Sequence, residues 1–232
     1  MPSPTPPGLI LQHEETAPAD LFGEWADERG IAYEVLRIRE EGLPSDPSKL
    51  GWICALGSDA TPDEPDPPAW VDEELACLRG ALAADVPILG LCFGGQALAA
   101  AAGARVRAAD PPEVGWFGIE TTDRERVPAG PWLHFHYAQL ELPLGATELA
   151  RSPAGVAAFG LGRSLGLQFH PEVRPEIATG WAIAERERIE ALGIRVEDVA
   201  AGGERHGAAA RAAAKCLFDA WWRGAHEPEP RS

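Results

Sequence analysis

The fold is decided by the stretch Val86-Pro87-Ile88-Leu89-Gly90-Leu91-Cys92-Phe93-Gly94-Gly95-Gln96, in which a short apolar strand runs into a cysteine. A strand that turns abruptly into a helix strains its corner residue, and only small residues fit two positions to either side. Gly90 and Gly94 occupy those positions. A helix N-terminus also favours thiolate over thiol. The pattern predicts a nucleophile elbow at Cys92, although a cysteine among apolar residues is also common as a packed core thiol.

A second stretch, Ser164-Leu165-Gly166-Leu167-Gln168-Phe169-His170-Pro171-Glu172, supplies groups that could activate this thiol. It reads as a short strand that ends in a histidine, with a carboxylate two residues later. Residues i and i+2 of extended chain point the same way, and Pro171 stiffens the link between them. Glu172 can therefore hold the imidazole while His170 faces the sulfur. This second stretch favours a catalytic role for Cys92 over a packed thiol.

In this order, the sequences GLCFGGQ (90–96) and QFHPE (168–172) resemble the class I (triad) glutamine amidotransferases, in particular the stand-alone GMP-synthase-like members. The resemblance extends over roughly residues 8 to 175. It also includes LGSD (56–59), EVGW (113–116) and FHY (135–137).

The resemblance implies that the protein is an enzyme that hydrolyses the side-chain amide of glutamine to glutamate and ammonia. Cys92 would attack the carboxamide carbon and form a γ-glutamyl thioester. His170 would protonate the departing ammonia and then activate water, and Glu172 would fix the histidine tautomer.

The same resemblance implies where the substrate is held. The backbone N–H of Phe93 and one N–H from the loop at Gly57 and Ser58 would bind the oxyanion of each tetrahedral intermediate. Gln96 would help to hold the amino-acid end of the substrate, and His136 would lie near the pocket.

Composition limits the classes of partner. The chain has 232 residues, 45% of them hydrophobic, which is enough for one sizeable core. Lys and Arg number 20 against 36 Asp and Glu, and the formal charge of −16 repels nucleic acids and anionic lipid surfaces. We therefore expect no nucleic-acid or membrane partner. Four cysteines without metal-binding spacing, one of them a nucleophile that must stay reduced, predict a cytoplasmic protein.

Short apolar runs alternate with amphipathic stretches, which predicts an α/β fold with a mostly parallel central sheet flanked by helices. The resemblance implies the flavodoxin-like arrangement of its family. Strands are predicted at 9–12, 32–38, 52–56 and 86–91, with helices at 18–29, from 66 towards 87, and at 94–102. Later strands are predicted at 105–108, 114–120, 131–136, 147–151, 156–161 and 165–169, where they extend the sheet and add an antiparallel part.

From Pro175 the sequence becomes rich in Ala, Glu and Arg, which predicts helices. A break in the helices is predicted at Gly202-Gly203, and their end is predicted near Trp221-Trp222. We expect one catalytic domain. Its predicted parts are a disordered tail (1–7), a catalytic core (8–174), a helical extension packed on the same domain (175–224) and a second tail (225–232).

The remaining histidines give weaker indications of function. His134 and His136 alternate along a predicted strand, but no carboxylate or cysteine near them in the sequence completes a ligand set, so we expect no metal and no other cofactor. Relatives often carry an acidic residue where this chain has Ala138. His13, His206 and His226 are expected at the surface.

The sequence motifs also bear on the fate of the ammonia. The sequence shows neither a Gly-x-x-x-x-Gly-Lys loop nor a Ser-Gly-Gly-x-Asp-Ser loop with which to activate an acceptor. We therefore expect ammonia to pass to a separate synthase, with hydrolysis of another γ-glutamyl amide as the alternative. A catalytically silent regulatory homologue is a third hypothesis, against which the complete set Cys92, His170 and Glu172 argues. The His-Pro-Glu ending also argues against other hydrolases and chaperones that carry a similar elbow.

Overall fold

A computed structural model describes residues 7–226 of the chain as alternating strands and helices. The strands are β1 (Gly8–Gln12), β2 (Tyr33–Arg37), β3 (Trp52–Ala55), β4 (Ile88–Leu91), β5 (Val106–Phe117), β6 (Glu120–Thr121), β7 (Trp132–Leu140), β8 (Thr147–Ser152), β9 (Gly155–Leu161) and β10 (Ser164–Leu167). The helices are α1 (Asp20–Glu28), α2 (Ile38–Glu41), α3 (Ala69–Ala83), α4 (Phe93–Ala101), α5 (Pro175–Ala184), α6 (Arg186–Ala191) and α7 (Val196–His226).

The main sheet has eight strands in the order β2-β1-β3-β4-β10-β9-β8-β6. The five strands from β2 to β10 run parallel, and β9, β8 and β6 continue the sheet antiparallel. The central strands β3, β4 and β10 are buried throughout, as expected for parallel strands covered on both faces. The predicted mostly parallel sheet with an antiparallel extension is confirmed.

Two strands stand apart from this sheet. β5 and β7 form a separate antiparallel pair, in which Glu113 lies opposite His136 and Gly115 lies opposite His134. The sequence predicted two strands where the structure has one long β5, because a register shift between Ala108 and Glu113 absorbs the proline-containing segment that reads as a turn. This pair forms one side of the candidate site described below.

The predicted helix break at Gly202-Gly203 is wrong, because α7 runs without interruption from Val196 to His226. A Cβ added at Gly202 would lie 2.7 Å from Cδ1 of Trp116, and one at Gly203 would lie 2.7 Å from Cβ of Pro175. These glycines let α7 approach its neighbours closely. The helix also includes residues 225 and 226, and the remaining tail predictions, at 1–6 and 227–232, fall outside the described residues.

Helices cover both faces of the sheet. On one face, α1 and α7 bury an aromatic cluster that contains Phe22, Trp25, Trp52, Phe218 and Trp221. On the other face, α3 and α4 pack on the apolar side of β3 and β4. Across residues 7–226, none of the helices combines the length and apolarity that crossing a bilayer requires.

Candidate active site

Cys92 lies at the corner between β4 and α4, where its backbone has φ 51° and ψ −106°. Few non-glycine residues adopt a positive φ, so the corner is strained. A Cβ at Gly90 would overlap the backbone of Gly94, and one at Gly94 would overlap the carbonyl oxygen of Ala55. The N–H of Cys92 donates to the carbonyl oxygen of Leu167 (2.9 Å). The predicted strand–corner–helix geometry is therefore present at Cys92.

His170 follows β10, the parallel neighbour of β4, and its N–H donates to the carbonyl oxygen of Leu133 (2.9 Å). Its ring Nδ1 lies 2.8 Å from Oε1 of Glu172. Both side chains are buried. β10 ends at Leu167, so a turn rather than a continuous strand brings Glu172 against the imidazole. Because Glu172 contacts Nδ1, the other ring nitrogen, Nε2, lies on the side of the imidazole away from Glu172.

The neighbouring Cys92 and Glu172 side chains set the charge of His170. Burial lowers the pKa of this imidazole, but electrostatic interaction and hydrogen bonding with Cys92 and Glu172 outweigh burial and raise it to about 10. His170 therefore carries a proton on both nitrogens at neutral pH. A proton held beside the sulfur is what a departing amine needs.

The loop after β3 lies directly against this pair. A Cβ added at Gly57 would be 2.9 Å from Cε1 of His170 and 3.8 Å from Cβ of Cys92. The Ser58 hydroxyl turns away and donates to Oε1 of Glu14 (2.8 Å). Phe93 is the first residue of α4, so its N–H is one of those that a helix leaves unpaired. The structure thus brings the backbone of Gly57, Ser58 and Phe93 to the predicted location beside Cys92.

A cavity of about 270 Å³ opens beside Cys92 and His170. Gln96 and His136 form part of its wall, and their side-chain nitrogens are bonded within the protein. Nε2 of Gln96 donates to the carbonyl oxygen of Ala138 (3.3 Å), and Nδ1 of His136 lies 3.0 Å from the same oxygen. The structure therefore places both residues at the cavity, as expected from the sequence. Their side-chain nitrogens hold the Ala138 carbonyl.

The C-terminal helices contribute to the site, which was not predicted from the sequence. Trp181 of α5 packs edge-on against His170, with ring centroids 4.9 Å apart. Glu185 and Arg188 line the cavity, and the Arg188 guanidinium lies 3.4 Å from the ring centroid of Tyr137. No signal in the sequence ties these residues to the elbow, because amphipathic helices read alike whether or not they border a cavity. The helical extension therefore forms one wall of the site.

The expectation that no carboxylate completes a ligand set with His134 and His136 is wrong. Glu113 approaches both histidines of β7 from the neighbouring strand, so a carboxylate does complete the set that the sequence seemed to lack. Its Oε2 lies 3.0 Å from Nε2 of His136 and 3.2 Å from Nδ1 of His134. The three buried side chains offer ligand atoms within 4.8 Å of one another and are the residues here that could hold a metal ion. The carboxylate lies on β5 and the two histidines lie on the paired strand β7, with Glu113 opposite His136. Their proximity was not predicted, because the sequence predicted two separate strands in place of β5.

Hydrogen bonds already account for the Glu113 carboxylate. Oε2 also accepts from the hydroxyl of Ser152 (2.8 Å), and Oε1 accepts from the N–H of Ala154 (3.0 Å). Burial raises the pKa of Glu113, but the neighbouring His134 and His136 side chains outweigh burial and hold that pKa well below its usual range. Burial lowers the pKa of His134, which keeps its ring neutral. These contacts describe a buried carboxylate whose two oxygens both accept hydrogen bonds.

The prediction that His13 lies at the surface is wrong. The residue is only 5% exposed, and its ring contacts Gly57 and Glu74. His206 and His226 are both half-buried, and the latter stacks on Trp222 with ring centroids 3.7 Å apart. The position of His13 could not be read from the sequence, because its partner Glu74 is 61 residues away.

Solved structures of glutamine amidotransferases share this fold. A glutamine amido transferase from Methylobacillus flagellatus superposes with a TM-score of 0.86 at 24% identity, covering 96% of each chain. A glutamine amidotransferase from Thermotoga maritima gives 0.82 at 22% identity, over 94% of this chain and 99% of that one. At these identities the likeness concerns the fold.

Sequence comparison identifies the family. The chain is 37% identical over 119 residues to the glutamine-hydrolyzing GMP synthase of Thermomicrobium roseum, and 40% identical over 96 residues to that of Aeropyrum pernix. These matches cover 48% and 38% of this chain, and it spans only about one fifth of those relatives, 21% and 19%. The family model for glutamine amidotransferase class-I matches residues 60–184, more than half of the chain. The chain therefore belongs to the class I glutamine amidotransferase family.

Proposed function

We propose that the protein hydrolyses the side-chain amide of L-glutamine through a thioester on Cys92 and releases ammonia for a separate acceptor enzyme. The observation that carries this proposal is the position of His170, held by Glu172 at 2.8 Å and next to the strained cysteine at the cavity wall. Nucleophile, base and orienting carboxylate in this arrangement are typical of acyl transfer.

In the proposed reaction, the Cys92 sulfur attacks the carboxamide carbon of the substrate, and the carbonyl π electrons move to oxygen. The intermediate collapses as the C–N bond breaks, and His170 gives its proton to the departing ammonia. His170, now neutral, takes a proton from water as that water attacks the thioester. Collapse of the second intermediate releases glutamate and returns the sulfur, with the proton again on His170. Glu172 stabilises the imidazolium in both steps.

Two backbone donors are proposed for the oxyanion. Phe93 offers the N–H at the start of α4, and the Gly57–Ser58 loop offers a second from across the cavity. Such donors act on charge that develops only in the transition state, and loss of one lowers kcat by about 10²–10³.

The charges around the cavity support a zwitterionic amino-acid substrate. Glu14, Asp59 and Glu185 are acidic residues of the cavity wall that would receive an α-amino group, and Arg188 is a basic residue there that would receive a carboxylate. Within the protein Arg39 pairs with Glu14 and Asp59, and Arg188 pairs with Glu185, so a substrate would share these charges with their present partners. A cavity of about 270 Å³ is at the small end of ligand pockets, which suits a single amino acid or a short γ-glutamyl amide.

The relatives support a role in supplying ammonia. The GMP synthases are named as glutamine-hydrolyzing, and this chain matches about one fifth of their length. We propose that a separate synthase consumes the ammonia made here. The cysteines at 54, 77, 92 and 216 are all free, and a nucleophile that must stay reduced suits the cytoplasm. We propose one catalytic domain, whose C-terminal helices complete the site.

Glutamate release tests the proposed reaction. Purified protein should release glutamate from L-glutamine, and Cys92→Ala and His170→Ala should each abolish that release while remaining folded. A panel of γ-glutamyl amides measured in parallel decides the substrate. A strong preference for another amide in kcat/KM would replace glutamine as substrate, and turnover that survives Cys92→Ala would refute the mechanism.

A catalytically silent regulatory homologue is the competing hypothesis. It predicts no Cys92-dependent turnover of any amide in the panel, even with the acceptor synthase present. The strained corner and the buried His170–Glu172 pair argue against it, because neither feature is needed for packing alone.

A further inference from the structure

A buried ion pair lies behind the loop that borders the catalytic cysteine. His13 follows β1, and its Nδ1 lies 3.1 Å from the carbonyl oxygen of Gly57. Its Nε2 lies 2.8 Å from Oε2 of Glu74, a residue of α3. Both side chains are completely withdrawn from solvent. The mechanism proposed above uses neither residue, and a buried charged pair is costly unless it is well bonded.

The partners of His13 define its protonation state. A carbonyl oxygen and a carboxylate oxygen are both acceptors, so both ring nitrogens must carry hydrogen to satisfy them. Burial lowers the pKa of His13, but the charge and hydrogen bond of Glu74, with smaller contributions from Glu14 and the Gly57 carbonyl, raise it overall. His13 is therefore an imidazolium that donates to Gly57 from one side and to Glu74 from the other.

The bond to Gly57 fixes the orientation of a peptide. In a trans peptide the C=O and the following N–H point in opposite directions. Because the Gly57 carbonyl points to His13, the N–H of Ser58 points away from His13. Gly57 and Ser58 both line the cavity beside Cys92, so this N–H is directed to the cavity side of the loop.

The same imidazole contacts the other wall of the oxyanion site. It packs edge-on against Phe93, with ring centroids 4.9 Å apart and an interplanar angle of 70°. Trp70 packs against the same imidazole, with centroids 5.1 Å apart, and also contacts Phe93 at 5.4 Å. Phe93 carries the N–H that follows the nucleophile. One ring thus contacts both segments that offer a backbone donor.

We propose that His13, anchored by Glu74, is a positioning residue that holds the Gly57–Ser58 peptide with its N–H directed at the substrate oxyanion. His13 touches neither the substrate nor the sulfur, and its effect passes through the loop. The inference rests on the proposed amide hydrolysis and adds to it the origin of the second oxyanion donor.

A pair of nearly isosteric variants separates this role from packing. Asn at position 13 places an N–H donor close to the former Nδ1, whereas Leu has a similar shape and no donor. Both are made on a Glu74→Gln background, so that no unpaired carboxylate is left buried. Glu74→Gln alone keeps an acceptor for Nε2 and serves as the parent.

We expect His13→Leu to lower kcat about 100-fold relative to the parent, as expected when one oxyanion donor is lost. We expect His13→Asn to recover about 10-fold of that loss. KM should change little in either variant, because the donor acts in the transition state and not on bound substrate. Alkylation of Cys92 by iodoacetamide needs no oxyanion site and should keep its rate in both.

Hydrogen exchange supplies a readout that does not depend on turnover. The peptide that contains Gly57 and Ser58 should exchange faster in the Leu variant than in the Asn variant, with the rest of the chain unchanged. Equal exchange and equal kcat in the two variants would overturn the inference. Wild-type protein that hydrolyses no amide, with the exchange difference still present, would instead refute the proposed function and leave the tether of the loop established.

Discussion

Substitution of Gly57 by alanine tests how closely the oxyanion loop must approach the catalytic pair. The added Cβ would lie 2.9 Å from Cε1 of His170, whereas ordinary contacts begin at 3.4 Å, so the ring or the loop must shift by about 0.5 Å. A misplacement of 1 Å can cost about 10²-fold in rate, so half of that displacement should lower kcat about 10-fold. The same Cβ would lie 3.8 Å from Cβ of Cys92, an ordinary contact that leaves the nucleophile in place.

The assay compares turnover with stability. Gly57 is not among the glycines with positive φ, so alanine adds no backbone strain and the thermal midpoint should stay within a few degrees of wild type. Gly224→Ala in α7 is the matched control, because its Cβ would meet nothing within 4 Å. We expect the control to keep full kcat. A Gly57→Ala protein that is folded and retains wild-type kcat on its best amide would refute the close approach deduced here.

Three further predictions concern stability. The folded pKa of His170, about 10, exceeds the unfolded value of 6.5, so its stabilisation should be complete below pH 6.5 and lost as the pH rises towards 10. Urea titrations should therefore show a free energy of unfolding that falls with pH over this range, and His170→Ala should make that fall smaller. The pKa of Glu113 is lowered, so its contribution to the free energy of unfolding should be lost as the pH falls below 4.5. Glu113→Gln should cost about 3–5 kcal/mol at neutral pH and flatten this loss at acid pH, and an unchanged loss would contradict the lowered pKa of the buried carboxylate. Gly207→Ala should destabilise α7, because its Cβ would overlap Pro175, whereas Gly224→Ala should stabilise the protein by up to about 1 kcal/mol in thermal unfolding; stabilisation by both would contradict the close packing of α7.

The local features of the site could be predicted because each rests on contiguous sequence. Gly90, Cys92 and Gly94 encode the elbow through steric limits that act within five residues. The His170–Glu172 contact likewise spans two positions. The parallel sheet was predicted from the alternation of apolar runs and amphipathic stretches. This pattern can be recognised without knowing which strands pair.

The missed features depend on contacts between distant segments. Glu113 meets His134 and His136 across β5 and β7, in a register set by a bulge that no periodicity reveals. His13 and Glu74 belong to different elements, and each alone reads as a surface residue. In both clusters, polar side chains are buried together with their partners. The sequence around any one of these residues does not indicate that it is buried.

The glycines of α7 show the opposite error. Gly202-Gly203 reads as a helix break on intrinsic propensity, because glycine is among the weakest helix formers. In the fold, the close approach of Pro175 to Gly203 replaces lost propensity with packing. Tertiary contact thus overrides a local preference, as it commonly does in long helices that cross other elements.

We expect Cys92 to form a γ-glutamyl thioester with the substrate, and we expect His170 to be required for its formation and release. Intact-mass spectrometry after rapid acid quench, with L-glutamine and the best amide of the panel, detects this thioester. The wild-type protein should carry a γ-glutamyl adduct, mapped to Cys92 by peptide analysis and absent from Cys92→Ala. Turnover without any adduct on Cys92, or an adduct that maps to another residue, would contradict this expectation.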